Sequence, residues 1–429
     1  MTVQLRALLL SVLVACARPP LAPRAPAPSP APEPAPSPAP APRRAVRNHV
    51  LSTGQSLAVG VAGVPVTSTE QPFENVMFAT GVMAGGEELT SLVPLVEGDF
   101  IPGSKARVET MSSGFANLVS GLARAAGGRH DLLVSVHGSG AKTYAQLKLG
   151  TRPFTTGLAQ VTAAKALADA ANEDLVVRAV TTVHGESDHA EKSTRYLEDL
   201  LQWQADYERE VGAITHQKEP VPLFQTQMSS WTKMMGGTET STIPAAQLAA
   251  HVSSHGKVVL VGPKYHLPYS KDGVHLTGPG YRRMGEDYGK AYHRLVVEKQ
   301  PWEPLRPLTA TREGRVVTLK LLVPVPPLVL DTTLVTDPGN FGFEIADASP
   351  STPRIERVEI AGPDTVTVTL SAAPTGQDLR LRYAWTGTRG ARSGPTSGAR
   401  GNLRDSDPTR GRSGDPLFDW CVHFDIPVE

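Results

Sequence analysis

Apolar runs of strand length recur along the middle of this chain with helical patterns between them, and that alternation limits what it can fold into. Leu175 to Val183, Val221 to Met228 and Lys257 to Val261 are near-continuous apolar segments, as expected for parallel strands covered on both faces. Between them, residues 190–211 set Tyr196, Leu197, Leu200, Trp203, Tyr207 and Val211 along one stripe at helical spacing. An alanine-rich helix is predicted from about Thr156 to Asn172. Another starts at Thr277-Gly278-Pro279 and lines up Tyr281, Met284, Tyr288, Tyr292 and Leu295. Strands alternating with helices imply a doubly wound α/β sheet, in which ligands bind beyond the carboxyl ends of the strands.

Three short motifs fall at such ends, in fixed order: Gly54-Gln55-Ser56-Leu57, His184-Gly185-Glu186-Ser187-Asp188 and Asp272-Gly273-Val274-His275. Ser56 follows the predicted strand His49 to Thr53, and the glycine before it lets the chain bend sharply and expose a hydroxyl. A serine hydroxyl is a poor nucleophile at neutral pH, so it needs a base within hydrogen-bond reach and a third group to hold that base's tautomer. Asp272 and His275, three residues apart on one loop, meet both needs. A Gly-x-Ser turn alone occurs in many loops; the ordered set of three is what points to acyl transfer.

With these motifs the chain resembles the SGNH (GDSL-type) hydrolases, in the branch of sialate O-acetylesterase-like proteins and carbohydrate acetylesterases. That branch commonly carries Gly-Gln-Ser at the nucleophile and Gln-Gly-Glu-Ser, then Asp or Asn, in the middle motif. The likeness covers roughly residues 46–298. It implies a flavodoxin-like three-layer α/β/α domain and a serine esterase acting on acylated carbohydrate. Ser56 would be the nucleophile and His275 the general base and then acid. Backbone N–H groups of Ser56 and a later glycine, with Gly140 preferred in Val136-His137-Gly138-Ser139-Gly140, would hold the oxyanion. Gln55, Gly185 and Ser187 are carried over as oxyanion or substrate contacts. Two departures bear on roles: Ser187 stands where the wider superfamily has Asn, and His184 where the branch has Gln. The resemblance also offers Glu186 as an alternative to Asp272 for orienting His275.

Blander readings accompany several of these residues. His184 and His189 flank Glu186 and Asp188, a grouping that can suggest a metal site but need not converge on one point. Asp188 reads as a loop-stabilising side chain. Trp231, Tyr265, His266 and Tyr269 follow predicted strands, where aromatic rings stack on sugars or pack into a core.

The termini have other compositions. Arg6 precedes the apolar run Ala7 to Ala15, too short to span a bilayer and suited to a secretory signal over residues 1–15. Leu13-Val14-Ala15-Cys16 resembles a bacterial lipobox, implying lipidation of Cys16, export and membrane anchorage, with Ala17 favouring the outer membrane. The alternative is an ordinary signal peptide with an incidental cysteine. Residues 16–45 are dominated by Pro and Ala and cannot bury a core, so they read as an extended tether. The hydrolase domain is expected over 46–300. Residues 301–429 carry helix-breaking prolines and the alternations Val358/Ile360, Val366/Val368/Leu370 and Leu381/Tyr383/Trp385, which predict a β-sandwich-like accessory domain. Its tail, Asp419 to Phe424, reads as a closing strand, and Arg389 to Gly414 as a long loop whose acids Asp405 and Asp407 are too few to cage calcium by themselves. This domain either binds carbohydrate or packs against the hydrolase and shapes its cleft.

Lys plus Arg and Asp plus Glu both number 42, which gives no charge bias toward nucleic acid or an acidic polymer. No phosphate loop or zinc spacing indicates a cofactor. Three alternatives to a carbohydrate esterase stay open: a lipase or thioesterase of the same superfamily, a non-catalytic carbohydrate-binding surface lipoprotein, and a cell-envelope structural protein that uses the β-rich module as an interaction domain.

Overall fold

The computed structural model describes residues 22–23, 44–86, 89–100, 106–349 and 351–429. The expected signal segment 1–15, Cys16 and nearly all of the tether lie outside the described residues. Residues 44–429 form one compact unit, and no described helix is long and apolar enough to cross a membrane.

The apolar runs become the strands of a seven-stranded sheet. In chain order these are β1 (Ala45–Gly54), β2 (Val76–Phe78), β3 (Leu92–Pro94), β4 (Leu132–Val136), β5 (Glu173–Val183), β6 (Leu223–Gln227) and β7 (Val258–Pro263), arranged β3-β2-β4-β1-β5-β6-β7. All neighbours are parallel except β3, which runs antiparallel to β2 at the edge. Successive side chains in a strand face opposite ways, so each strand feeds two cores. Val50, Val134 and Ala179 join a cluster with α1 (Ser112–Ala125) and α6 (Gly278–Tyr292), through Phe115, Tyr281 and Tyr288. Leu51, Leu133 and Val180 join the opposite cluster with α2 (Arg152–Ala170), α4 (Tyr196–Thr215) and α5 (Ile243–Ser254), through Phe154, Trp203 and Tyr207. Helices therefore cover both faces, giving the three-layer α/β/α arrangement. Each fully buried side chain of this size contributes about 1.5–3 kcal/mol of transfer free energy.

The helix expected over 190–211 begins later, at Tyr196. A short helix, α3 (Glu186–Ala190), comes first, and its last turn closes on residues 191–193 through Glu191 and Ser193 N–H bonds to Ser187 and Asp188 carbonyls. Thr277 caps α6 by accepting the Gly280 N–H at 3.2 Å. Helices α1 and α5 and the short strands β2 and β3 have no counterpart among the sequence expectations.

The C-terminal residues are β-rich. Strands Arg306–Glu313, Val316–Leu322, Thr365–Leu370 and Ile355–Gly362 form one antiparallel sheet, in that order; Phe343–Ala346, Arg380–Tyr383 and Phe424–Pro427 form a second. Val317, Leu319, Val366 and Val368 of the first share one core with Phe343, Leu381, Tyr383 and Phe424 of the second. The closing strand is Phe424–Pro427 rather than Asp419 to Phe424. Residues 419–423 instead run against the α/β layers, where the Cys421 carbonyl takes the Tyr265 hydroxyl at 2.7 Å. The expected long loop is interrupted by Leu403–Arg404, which pairs with Val329–Leu330.

Candidate active site

β1 ends at Gly54, whose φ of +124° and close contact with the Val183 carbonyl leave no room for a side chain. The chain bends there, and Ser56 emerges half-buried at the carboxyl edge of the central strands. The Ser56 hydroxyl donates to His275 Nε2 at 2.8 Å, and His275 Nδ1 lies 2.7 Å from Asp272 Oδ2. A ring that donates to the carboxylate through Nδ1 leaves Nε2 free to accept from serine, which is the tautomer a general base requires.

Asp272 is itself held in place. Its Oδ1 accepts the Val274 and His275 N–H groups at 2.9 Å each and the Ser270 hydroxyl at 2.8 Å. Partial burial pushes this carboxyl up, but the backbone donors of His275 and Val274, then the imidazole and Ser270, outweigh it and hold it at about 2. It stays ionised wherever the imidazole works.

Gly140 lies beside the nucleophile, since a Cβ added there would sit 3.8 Å from the Ser56 Cβ. Among the described residues, the backbone N–H groups of Ser56 and Gly140 have no hydrogen-bond acceptor, whereas that of the intervening Ser139 is taken by the Gly54 carbonyl at 2.9 Å.

The remaining motif residues face elsewhere. Gln55 is buried, and its Oε1 accepts the Ser187 N–H at 3.1 Å, so it ties the first motif to the second. Gly185 has φ +130°, and a Cβ there would press on Ile243, so its role is to make the turn into α3. Glu186 makes no hydrogen bond to His275. It is fully buried, with Oε1 accepting from Lys264 Nζ at 3.1 Å and the Ser230 hydroxyl at 3.0 Å. Burial pushes the Glu186 carboxyl up, but the Lys264 ammonium more than compensates and its pKa lies below the usual value. Of the two acids that the sequence offered, the geometry pairs His275 with Asp272.

His184 bridges the Tyr196 hydroxyl at 2.7 Å and the Lys142 carbonyl at 3.0 Å, and burial pushes its pKa down. Asp188 accepts the Tyr144 N–H at 2.9 Å and its Oδ2 lies 3.4 Å from His184 Nε2, so it ties its own turn to a loop distant in sequence. His189 bonds Ser241 and Thr238. These three do not converge as ligands. Among the described residues one acidic trio is close enough to share a cation, Asp405, Asp407 and Asp419, of which sequence singled out only two. It already holds one, because Lys290 Nζ lies 3.1 Å from Asp407 and 2.8 Å from Asp419.

The aromatic candidates anchor the β-rich residues instead of lining the site. Trp231 is buried edge-on against His423, Tyr265 bonds the Cys421 carbonyl, and His266 stacks on Trp420. Tyr269 packs against Gly394. Sequence reasoning missed Lys264 altogether, although a lysine at the end of the apolar run Val258–Pro263 was a visible anomaly. It also missed the brace on the acid–base loop. The Ser393 N–H donates to the Gly273 carbonyl at 3.1 Å, Arg392 packs on Gly273, and the Thr232 hydroxyl donates to the Ala391 carbonyl at 2.9 Å. A cleft of about 750 Å³ is lined by Ala141 and Ser187, which follow Gly140 and Glu186 in the chain, and by Lys192, Arg195, Met234 and Met235.

No protein-family model and no curated protein matches the sequence. Among solved structures, a carbohydrate acetylesterase from Xanthomonas citri aligns at a TM-score of 0.53 with 15% identity, covering 88% of this chain and 80% of that one. A protein from Arabidopsis thaliana aligns at 0.40 with 18% identity over 57% of this chain and 97% of that one. A carbohydrate acetylesterase from Sinorhizobium meliloti aligns at 0.33 with 13% identity over 57% and 97%. The chain thus shares the fold of the Xanthomonas protein across both its α/β and its β-rich residues.

Proposed function

We propose that this protein is a serine carboxylic ester hydrolase that removes O-acetyl or other short acyl groups from carbohydrate. The observation that carries this reading is the continuous relay from Ser56 Oγ through His275 to Asp272. The shared fold with a carbohydrate acetylesterase supports the choice of substrate class.

In this reading His275 Nε2 takes the Ser56 proton as Oγ adds to the ester carbonyl. The tetrahedral oxyanion is held by the N–H groups of Ser56 and Gly140, which have no other acceptor among the described residues. Collapse breaks the bond to the sugar oxygen, which takes the proton from His275, leaving an acyl-Ser56 ester. Water then gives His275 a proton, attacks that ester and releases the carboxylic acid with Ser56 restored. Asp272 keeps the ring oriented and stabilises the imidazolium in both halves. Export and lipid anchorage through Cys16 complete the proposal and place the enzyme in the cell envelope. A Cys16→Ser change should abolish membrane association and the mass of an attached lipid.

The test is release of acid from 4-nitrophenyl acetate, acetylated xylan and O-acetylated sialic acid by the full chain and by its Ser56→Ala variant. Turnover by the wild type alone is expected, with the preferred polymer naming the sugar. Equal background rates from both proteins would overturn the reading.

A further inference from the structure

Lys264 and Glu186 are both completely buried, and the reaction above uses neither. Taking two charges out of water is costly, and a buried pair is often no more stable than a well-packed apolar substitute. Its location suggests what the pair is for. Glu186 opens the turn after β5, Ser229 and Ser230 follow β6, and Lys264 follows β7, so the pair joins three adjacent strand ends next to β1.

Contacts run from it in two directions. Glu186 is followed by Ser187, whose N–H holds the side chain of Gln55, the residue that precedes Ser56. On the other side, the Lys264 N–H donates to Ser229 Oγ at 3.2 Å, and Ser229 Oγ bonds His423 Nε2 at 2.9 Å. His423 belongs to the β-rich residues and is pinned there by its Nδ1 on the Ala384 carbonyl, 2.6 Å away, and by its N–H on Gln227.

We propose that Lys264 is a positioning residue for the nucleophile. Its buried ammonium clamps Glu186, and through the Gly185–Ser187 turn and Gln55 this fixes the bend that presents Ser56, with His423 bracing the lysine backbone. The inference rests on the serine-esterase reading. It accounts for a carboxylate beside the site that does not touch His275, and it gives the β-rich residues a part in holding the nucleophile.

The clamp has an electrostatic signature because, Asp188 apart, the titratable side chains around it are histidines and tyrosines. His184 and His189 beside Glu186, and His423 beside Lys264, are held down by burial, while Tyr196, Tyr269, Tyr281 and Tyr288 are pushed up by it. Asp188, also near His184, is engaged by Tyr144. Without Lys264, burial would oppose ionisation of Glu186, which would gain a proton at low pH and become an unpaired buried anion as pH rises.

The experiment compares wild type, Ser56→Ala, Lys264→Met and Lys264→Met/Glu186→Gln on 4-nitrophenyl acetate, with kcat counted per acylatable site. Both lysine variants should lose about 10- to 100-fold in kcat with KM within about twofold, the cost of a slightly misplaced nucleophile. In Lys264→Met alone, kcat should also fall as pH rises; the double variant, having no carboxylate there, should lack that new limb. The proposal is overturned by a wild-type kcat in either folded variant, or by an unaltered pH profile in Lys264→Met. If Lys264→Met does not fold, the neutral double variant decides by its kcat. A wild type no faster than Ser56→Ala would remove the esterase reading instead.

Discussion

Residues 45–297 build parallel strands whose carboxyl ends carry Ser56, Glu186 and, one loop later, Asp272 and His275, whereas the antiparallel sheets of residues 306–427 carry none of the reacting groups. Yet the β-rich residues reach the site at two points: Ser393 and Arg392 hold the Gly273 turn, and His423 holds Ser229. Lys290 closes the seam from the other side, in the acidic trio of Asp405, Asp407 and Asp419. The difference teaches that chemistry and support are divided. A parallel sheet gathers loops at one edge by its topology, and an antiparallel module packed against those loops limits how they move.

The strongest attack on that division is at the nucleophile. Ser56→Ala should lower kcat by about 10⁴- to 10⁶-fold while shifting the unfolding temperature little, because it removes one half-buried hydroxyl and keeps the Cβ. Asp272→Asn should follow, with a loss of about 10²- to 10⁴-fold near neutral pH, since the amide favours the wrong imidazole tautomer. Steady-state kinetics and thermal unfolding on the same samples check both. Because the folded-state pKa of Asp272 is depressed to about 2, its contribution to stability is present above its unfolded value of about 4 and is lost as pH falls through about 2.

Changes at the seam should reverse the pattern. Lys290→Met leaves buried carboxylates without their cation and should destabilise the fold by about 3–5 kcal/mol in urea unfolding. The kcat of the protein that remains folded should stay within about twofold of wild type. A large loss of kcat there would break the division between support and chemistry.

The smallest effect sharpens the same point. Burial, reinforced by Asp405 and Asp407 and opposed by Lys290, pushes the Asp419 carboxyl up to about 8. A carboxyl with a raised folded-state pKa binds its proton more tightly when folded, so it makes stability decline as pH rises from about 4 to about 8. Asp419→Asn should flatten that slope, seen as urea midpoints at pH 5 and pH 8 that lie closer together than in the wild type.

Much of the α/β layering was legible in the chain. The runs at 175–183, 221–228 and 257–261 became β5, β6 and β7, because a strand buried on both faces must be apolar at nearly every position. Strands β2 and β3 escaped notice because three-residue strands carry too little periodicity to register. Helix α5, Ile243–Ser254, is mostly small residues, so its buried stripe has little contrast. The same limit explains the aromatic candidates. Whether Trp231 or Tyr265 faces a sugar or a neighbouring segment depends on what packs over it, and residues 419–423 do so.

By itself, then, the sequence determined the sheet-and-helix alternation, the glycine that lets the chain bend before Ser56, and the spacing that brings Asp272 onto its own loop's histidine. These are consequences of local periodicity, backbone freedom and a three-residue reach. Only the tertiary structure decided that His275 meets Ser56 across 219 residues, that Glu186 belongs to Lys264, and that Lys290 enters the acidic trio. A side chain's partner is fixed by which strand ends and helices the fold brings together, and a buried charge accepts whatever counter-charge that packing delivers.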